Sequence, residues 1–309
     1  MLIFLTGASG LVGSAFARAS ARRGHTVTGI VGNFSGDVPG LSSRRPLDLT
    51  DESTLSAALL EVFPDAIVNC AAVSEPPAVD QDPARAQALN VALPAALARL
   101  AHHLGARFIH VSSEQAFDGT RSSPYTVTDP PAPLNLYARQ KVASEQIVRG
   151  LAPKFSAVVR APLLMGNSRG GRRSVHERLL GDWKAGKTAR LYLDEYRQPC
   201  TAENLAEVLL ELCERPECRG TFHWAGADLI SRHALGLALR SHFNLPPERA
   251  PIVAVRRTDQ PEIARNRPAC LALDLAPLLG VLKTRPQTLA EQLAELQVPP
   301  ACQDWCLKS

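Results

Sequence analysis

The chain has 309 residues, of which 45% are hydrophobic and 21% charged, and its net charge at pH 7 is +4. That length accommodates one large α/β unit or two lobes with a sizeable core, and the composition is ordinary for a globular protein. The arginine pairs, among them Arg172-Arg173, are spread along the sequence. We therefore interpret them as solvated surface and expect no nucleic-acid partner.

The sequence contains no apolar run long enough for a membrane span, and no basic segment or long apolar run precedes the first strand. The seven cysteines include no CxxC pair, and the histidines are scattered. We therefore expect a cytoplasmic protein with reduced cysteines, no metal site and no membrane partner.

Strand-like and helix-like segments alternate through residue 160. The predicted strands are residues 2–6, 26–31, 46–49, 66–70, 107–111 and 156–160, and the predicted helices are 11–23, 51–63, 83–104 (bent near Pro94) and 134–150. The strands are apolar without alternation, which predicts a parallel sheet covered on both faces, a Rossmann-type doubly wound α/β fold. Later helical stretches lie near residues 174–185, 202–214 and 231–242. We predict an NAD(P)-binding domain over residues 1–165 and a smaller, irregular, mainly substrate-binding lobe over 166–309. The segment near 197–215 is an exception that can belong to the first domain.

A glycine-rich turn joins the first strand to the first helix, where a dinucleotide pyrophosphate would rest on the helix N-terminus. Its spacing is GxxGxxG, and such a motif alone also occurs in turns that bind nothing. Its position after the first strand favours a cofactor site. The residues predicted to bind the cofactor here are Gly7, Ser9, Gly10, Leu11, Val12 and Gly13.

The second strand ends without the acidic residue that usually holds the adenosine ribose of NAD. Asn33 and Ser35 follow the strand and are predicted to contact the 2′-phosphate of NADP, and the first acid is Asp37. The absence of a carboxylate favours NADP, with NAD as the alternative. Asp48, next to Leu49, is predicted either to contact the adenine or to cap a helix.

Tyr137 and Lys141 form a YxxxK element, and this spacing places both side chains on one helix face. A nearby ammonium favours the phenolate, so we expect Lys141 to lower the pKa of Tyr137 and prepare it as a general acid. Ser113 follows a predicted strand, and ligands of α/β sheets bind at the carboxyl ends of strands. These three residues are the predicted catalytic group.

This order of glycines, serine, tyrosine and lysine resembles the extended short-chain dehydrogenase/reductases, and in particular the dTDP-4-dehydrorhamnose reductase family. The segments that carry the resemblance are 68–72, Asn90, 110–120, 131–137 with Lys141, 199–206 and 267–274. The resemblance implies hydride transfer from NAD(P)H to C4 of a 4-keto-deoxy sugar nucleotide, with proton donation by Tyr137, as in dTDP-rhamnose biosynthesis. It also implies a homodimer. Implied cofactor contacts include Asp48, Leu49, Asn69, Cys70, Ala71, Ala72, Asn90, Tyr137 and Lys141, and implied substrate contacts are Ser112, Glu114, Gln115, Phe117, Arg160 and Arg197.

The chain departs from the family in the loop after Ser113. Glu114 and Gln115 stand where the reductases usually have Asp-Tyr, so the sequence leaves the identity of the sugar open. A 4,6-dehydratase would need an Asp-Glu pair there, and Gln115 cannot act as a base. A sugar-nucleotide epimerase remains an alternative. A third is a non-catalytic NADP-binding subunit like the regulatory β subunit of methionine adenosyltransferase, which resembles the same family.

Overall fold

The computed structural model describes residues 1–306, in which strands and helices alternate through the first half of the chain. The strands of that half are β1 (Leu2–Thr6), β2 (Thr26–Ile30), β3 (Ser43–Arg45), β4 (Ala66–Asn69), β5 (Arg107–Ser113) and β6 (Ser156–Ala161). Its helices are α1 (Leu11–Arg22), α2 (Glu52–Val62), α3 (Pro76–Gln81), α4 (Pro83–Gln87), α5 (Leu93–Leu104) and α6 (Leu136–Leu151).

The second half of the chain contains shorter elements. Its strands are β7 (Leu164–Met165), β8 (Ala189–Tyr192), β9 (Tyr196–Arg197), β10 (Cys200–Thr201), β11 (Gly220–His223), β12 (Ile230–Ser231), β13 (Ile252–Val255) and β14 (Cys270–Leu271). Its helices are α7 (Val175–Lys184), α8 (Ala202–Glu214), α9 (Arg232–His242), α10 (Pro261–Asn266), α11 (Leu289–Ala294) and α12 (Gln303–Cys306). None of the helices within residues 1–306 is long and apolar enough to cross a membrane.

The central sheet has seven parallel strands in the order β11-β6-β5-β4-β1-β2-β3. The predicted Rossmann-type fold is thus confirmed. The chain runs outward from β1 to β3 and then returns to the other side of β1 as β4. The loops after β1 and β4 therefore diverge at this point and leave a crevice above the carboxyl ends of the strands, which is where doubly wound sheets bind ligands.

Both faces of the sheet are covered. Ile3 and Leu5 of β1 pack on one side, in the cluster that contains residues of α1 and α8, whereas Phe4 packs on the other, with residues of α2 and α5. Because successive side chains of a strand point to opposite faces, a strand buried on both sides must be apolar at every position. This explains the uninterrupted apolar runs.

Two predicted elements differ in the structure. The third strand is β3, Ser43–Arg45, and not residues 46–49. Pro46 has no N–H to donate to a neighbouring strand, and Leu47 and Leu49 pack on the core from irregular backbone.

The long helix predicted over 83–104 is divided into α4, a π-helical turn at Ala88–Ala92, and α5. This wider turn lies directly before Pro94, which cannot donate an intrahelical hydrogen bond.

The chain returns to the central sheet after residue 200. Helix α8 packs against α1, and β11 extends the sheet beside β6. The second half also forms three small sheets, which are the parallel β7–β10 and β8–β13 pairs and a three-stranded β12-β9-β14 sheet. This smaller lobe stands over the carboxyl ends of the central strands and forms one side of the cleft described next.

Candidate active site

The glycine turn after β1 is so tightly packed that side chains are excluded. Gly7 has φ +67°, and a Cβ there would lie 2.7 Å from the backbone nitrogen of Ala71. The N–H of Gly10 donates to the carbonyl of Gly7 at 2.9 Å, and a Cβ on Gly13 would collide with that same carbonyl. Gly7, Ser9 and Gly13 shape the turn, and Gly10, Leu11 and Val12 line the cleft. The N-terminus of α1 therefore opens on the cleft, and its first turn carries no acidic side chain.

The loop after β4 lies directly against this turn. The Asn69 carboxamide accepts from the Thr6 hydroxyl at 2.6 Å and from the Ala71 N–H at 3.2 Å. Its amide nitrogen lies 3.1 Å from Nδ1 of His110, whose other ring nitrogen lies 3.0 Å from Oγ of Ser144. This buried chain of hydrogen bonds ties β1, β4, β5 and α6 together. The predicted cofactor residues Cys70, Ala71 and Ala72 line the cleft at this point.

Ser113, Tyr137 and Lys141 converge at the floor of the same cleft. Ser113 ends β5, and the other two lie on one face of α6. The Lys141 ammonium donates to the carbonyl of Val111 at 2.7 Å, which fixes it under the end of β5. We call the glycine turn together with Ser113, Tyr137 and Lys141 the catalytic floor.

The pKa of Tyr137 differs from the expectation. Burial raises the pKa of Tyr137, and the charge of Glu114 raises it further. A hydrogen bond with Ser113 acts in the opposite direction. The sequence-based expectation that Lys141 would lower this pKa is therefore wrong for the structure described here, because burial dominates. Burial also lowers the pKa of Lys141 to about 8, although the carboxylate of Glu145 favours its charged form.

A buried ion pair lies beneath the floor. Arg160 and Glu145 meet at 2.7 Å, and the Ser112 hydroxyl donates to the same carboxylate. The Arg160 guanidinium stacks over Phe117 at 4.8 Å from the ring centre. Neither Arg160 nor Phe117 lines the cleft, although both were predicted to contact substrate. Their positions indicate that they support the floor from below.

The other predicted polar residues have identifiable partners. Gln115 lines the cleft and accepts through its carboxamide from Asn135, which caps the N-terminus of α6. Asn90 is fully buried and holds both backbone groups of Val73, so it fixes the loop after β4 and does not line the cleft. The Asp48 carboxylate accepts from Thr50, and the cap of α2 is Asp51.

The cleft has a volume of about 1100 Å³, and its far side is formed by charged residues of the smaller lobe. Arg197 lies 3.2 Å from Glu114 and 3.2 Å from Glu195, and it donates to the backbone carbonyls of Tyr196, Pro268 and Ala269. Arg267 also pairs with Glu195, and Arg232 lies 3.9 Å from it. We call Glu195, Arg197, Arg232 and Arg267 the C-terminal wall.

Glu114 connects the floor to the wall. It follows Ser113 in the chain, is 3% exposed, and has one carboxyl oxygen near Arg197 and the other without a hydrogen-bond partner within residues 1–306. Burial raises its pKa to about 8, despite the opposing charges of Arg197 and Arg232. Glu114 therefore places a carboxyl group that is largely protonated at neutral pH beside Tyr137.

Sequence reasoning missed several residues that line the cleft, namely Arg173, Arg178, Tyr192 and Arg232. Arg173 had been interpreted as solvated surface. Its side chain is indeed exposed, but it lies over Gly10 of the glycine turn. No local motif marks these residues, because separate loops, helices and strand β8 of the smaller lobe bring them to the cleft.

A doubly wound sheet, a glycine turn at its switch point, and a serine, tyrosine and lysine beside that turn define an extended short-chain dehydrogenase/reductase. The chain matches the family described as RmlD substrate binding domain over residues 1–298, and it belongs to that family.

Known proteins similar to this chain include both a methionine adenosyltransferase subunit and reductases. Methionine adenosyltransferase 2 subunit beta of Xenopus laevis is 32% identical over 283 residues, which cover 89% of this chain and 80% of that protein. The probable low-salt glycan biosynthesis reductase Agl14 of Haloferax volcanii is 30% identical, with 96% and 97% covered. The solved structure of dTDP-4-dehydrorhamnose reductase from Bacillus anthracis in complex with NADP superimposes with a TM-score of 0.81 at 20% identity, covering 95% of this chain and 97% of that one.

Proposed function

We propose that this protein is an NADP(H)-dependent reductase of a 4-keto-deoxy sugar nucleotide, with NAD as a weaker alternative cofactor. The observation that carries the proposal is the convergence of Ser113, Tyr137 and Lys141 beside the glycine turn in one cleft. Relatives named as reductases, among them Agl14, support the same reaction class.

The residues of the glycine turn fit a dinucleotide. Side chains are excluded at Gly7 and Gly13, so phosphates can approach the backbone at the start of α1. The first turn of that helix carries no acidic residue that would repel a pyrophosphate. When bound, the cofactor would supply the hydride. Gly10, Ala71, Tyr137 and Lys141 are the residues that we expect to hold it.

The floor residues supply the acid chemistry. Ser113 donates a hydrogen bond to the substrate carbonyl and orients it, while Tyr137 donates its proton to the developing alkoxide. A raised pKa keeps Tyr137 protonated at neutral pH, which suits a proton donor. Lys141, in its charged form, stabilises the phenolate that remains.

The substrate would occupy the side of the cleft that lies toward the C-terminal wall. Arg232 of this wall has a guanidinium nitrogen without a hydrogen-bond partner within residues 1–306, and such a group suits a phosphate of a sugar nucleotide. Glu114 and Gln115 adjoin this space, and they are the residues in which the chain departs from the usual reductase loop. We therefore propose a 4-keto sugar nucleotide as the substrate class and leave the sugar to experiment. An epimerase remains the second enzymatic candidate, since it uses the same floor residues.

The test of the proposed function is NADPH oxidation, followed at 340 nm, with a panel of 4-keto-6-deoxy sugar nucleotides that carry dTDP, UDP or GDP. We expect turnover with at least one of them. Binding of NADPH without turnover on any member of the panel would contradict the reductase function.

A non-catalytic regulatory subunit is the second candidate, favoured by the 32% identity with methionine adenosyltransferase 2 subunit beta. In that case the purified protein should bind the methionine adenosyltransferase of the same organism and alter its rate of S-adenosylmethionine formation. The variant Tyr137→Phe separates the two functions, because it should abolish reduction and leave such an effect unchanged.

We further propose that the cofactor domain comprises residues 1–165 and that α8 and β11 complete it, with the remaining residues forming the substrate lobe. A cytoplasmic location and a homodimer also remain proposals. The apolar faces of α5 and α6 pack inside one subunit, where Leu93, Leu97 and Val148 are buried. A dimer would therefore use the outer faces of these helices, and analytical ultracentrifugation would reveal it.

A further inference from the structure

An arginine-rich loop of the smaller lobe extends to the nucleotide end of the cleft. It lies between β7 and α7, over residues 166–173, and contains Arg169, Arg172 and Arg173. A guanidinium nitrogen of Arg173 lies 3.9 Å from the position that a Cβ of Gly10 would occupy, and Arg173 lines the cleft with Gly10. Within residues 1–306, Arg173 forms no ion pair that would neutralise it.

The backbone of this loop is held firmly on the smaller lobe. Glu177 of α7 accepts from the N–H groups of Ser168, at 2.6 Å, and Arg173, at 2.8 Å, as well as from the Ser168 hydroxyl. Asn167 donates to the carbonyl of Glu295 and accepts from the N–H of Gln297. Because the backbone is anchored on both sides, the loop presents its arginine side chains from a fixed position.

Two other arginines meet at the tip of β2, where the adenosine ribose of a dinucleotide is selected. The guanidinium of Arg169 stacks over Phe34 at 5.9 Å from the ring centre, and Arg44 donates to the backbone carbonyl of Phe34. Arg44 and Arg169 come from different lobes, and both are exposed. The tip therefore carries positive charge at the position where NAD-binding proteins usually carry a carboxylate.

We propose that the loop over residues 166–173 is part of the cofactor site. Arg173 binds the pyrophosphate above the N-terminus of α1, and Arg169 together with Arg44 binds the 2′-phosphate of NADP. Arginine is suited to both roles, since its planar group donates paired hydrogen bonds to phosphate oxygens. The cofactor is then held by residues of both lobes. This inference rests on the proposed function, because it deepens the nucleotide site on which that function depends.

The test compares NADPH and NADH binding by isothermal titration calorimetry, because only NADPH carries the 2′-phosphate. We expect Arg173→Ala to raise the Kd of both dinucleotides by about ten- to a hundredfold, as for the loss of a charge-assisted hydrogen bond. The double variant Arg44→Ala/Arg169→Ala should raise the Kd of NADPH about tenfold and leave that of NADH unchanged.

Arg172→Ala is the matched control, since Arg172 is adjacent, exposed and outside the residues that line the cleft. It should bind both dinucleotides like the wild type. An unchanged Kd in Arg173→Ala, or an equal loss in Arg172→Ala, would overturn the inference and leave the proposed function intact. If the wild-type protein binds neither dinucleotide, the proposed function itself fails. The melting temperature of each variant, with Arg173→Gln as a second substitution, verifies that the fold is retained.

Discussion

The catalytic floor and the C-terminal wall face each other across one cleft but depend on different kinds of sequence information. The floor consists of short motifs, a glycine turn between β1 and α1 and a tyrosine and lysine one helical turn apart on α6. The wall consists of single charged residues on β9, α9 and the segment before β14.

The two regions also differ in how their charges are stabilised. The floor holds Lys141 by one backbone carbonyl, and burial lowers its pKa to about 8. In the wall, by contrast, Glu195 lies near three arginines, although Arg232 has a guanidinium nitrogen without a hydrogen-bond partner within residues 1–306. Arg197 alone contacts two carboxylates and three carbonyls. We infer that the floor suits the proton transfer proposed above and that the contacts of Arg197 and Glu195 stabilise the wall. Changes in the floor should therefore affect kcat, and changes in the wall should affect stability and KM.

The largest effect should come from Tyr137→Phe in the floor. Removing the hydroxyl removes the proton donor, and general acids of this kind contribute about 10²- to 10⁴-fold to the rate. We expect kcat for NADPH oxidation to fall by that factor, while the NADPH Kd measured by calorimetry rises by no more than about tenfold, as for the loss of one hydrogen bond. A variant that retains its full rate would show that the floor does not use Tyr137 as its acid.

The second effect concerns the wall. Arg197→Ala should destabilise the protein by about 3 kcal/mol, because the backbone carbonyls of Tyr196, Pro268 and Ala269 lose their donor and Glu114 loses its partner. Chemical denaturation measures this loss. Arg285→Ala is the control, since its pair with Glu291 is exposed, and its unfolding midpoint should hardly change. Equal losses in the two variants would contradict the structural role given to the wall.

The floor was predictable from sequence because its signals are local. A strand, three glycines and a helix in succession indicate the turn, and the Tyr137–Lys141 spacing defines a helix face. The positions of Arg160 and Phe117 were not predictable in the same way. Both belong to segments that border the cleft. Successive side chains of a strand point to opposite faces, so a shift of one residue in register determines which side chain faces the cleft.

The family resemblance pointed to Arg197 and to the segment 267–274, but no motif predicted that they would meet Glu195 and Arg232. Arg232 begins α9 and Arg267 follows α10, and only the packing of the smaller lobe brings them beside Glu195. The position of Arg173 was unpredictable for the same reason, since the sequence around it indicates only an exposed basic loop. The two differences in secondary structure have a similar cause. The π-helical turn before Pro94 and the short strand β3 both depend on how the backbone packs against neighbouring elements.

A smaller effect should follow from Gly13→Ala. The added methyl would press on the carbonyl of Gly7, and overpacking of this kind costs about 1–3 kcal/mol. We expect weaker NADPH binding and a lower melting temperature. Gly150→Ala is the control, because Gly150 lies near the end of α6 with open space around it, and it should leave binding unchanged and the melting temperature equal or slightly higher. Normal NADPH affinity in Gly13→Ala would show that the turn is less constrained than the structure indicates.

The smallest and most specific effect should appear where the floor meets the wall, at Glu114. Its pKa is raised to about 8, so the carboxyl is neutral below that pH and becomes charged as pH rises through it. A new negative charge beside Tyr137 makes the phenol a weaker acid, and Lys141 loses its proton over the same range. Above pH 8 the logarithm of kcat should therefore fall with a slope steeper than about −1 and toward about −2, since Lys141 must keep its proton and the charge on Glu114 lowers the rate further.

Glu114→Gln removes one of these two titrations and keeps an oxygen that can accept from Arg197. The high-pH slope should become about −1, and kcat at pH 7 should change little, because the wild-type carboxyl is already neutral there. Glu262→Gln is the control, as it removes a carboxylate from another part of the cleft lining and should leave the wild-type slope unchanged. If Glu114→Gln retains the wild-type slope, the second proton belongs to another group. Protonation of the floor residues would then not depend on the charges of the wall, despite the contact between Glu114 and Arg197.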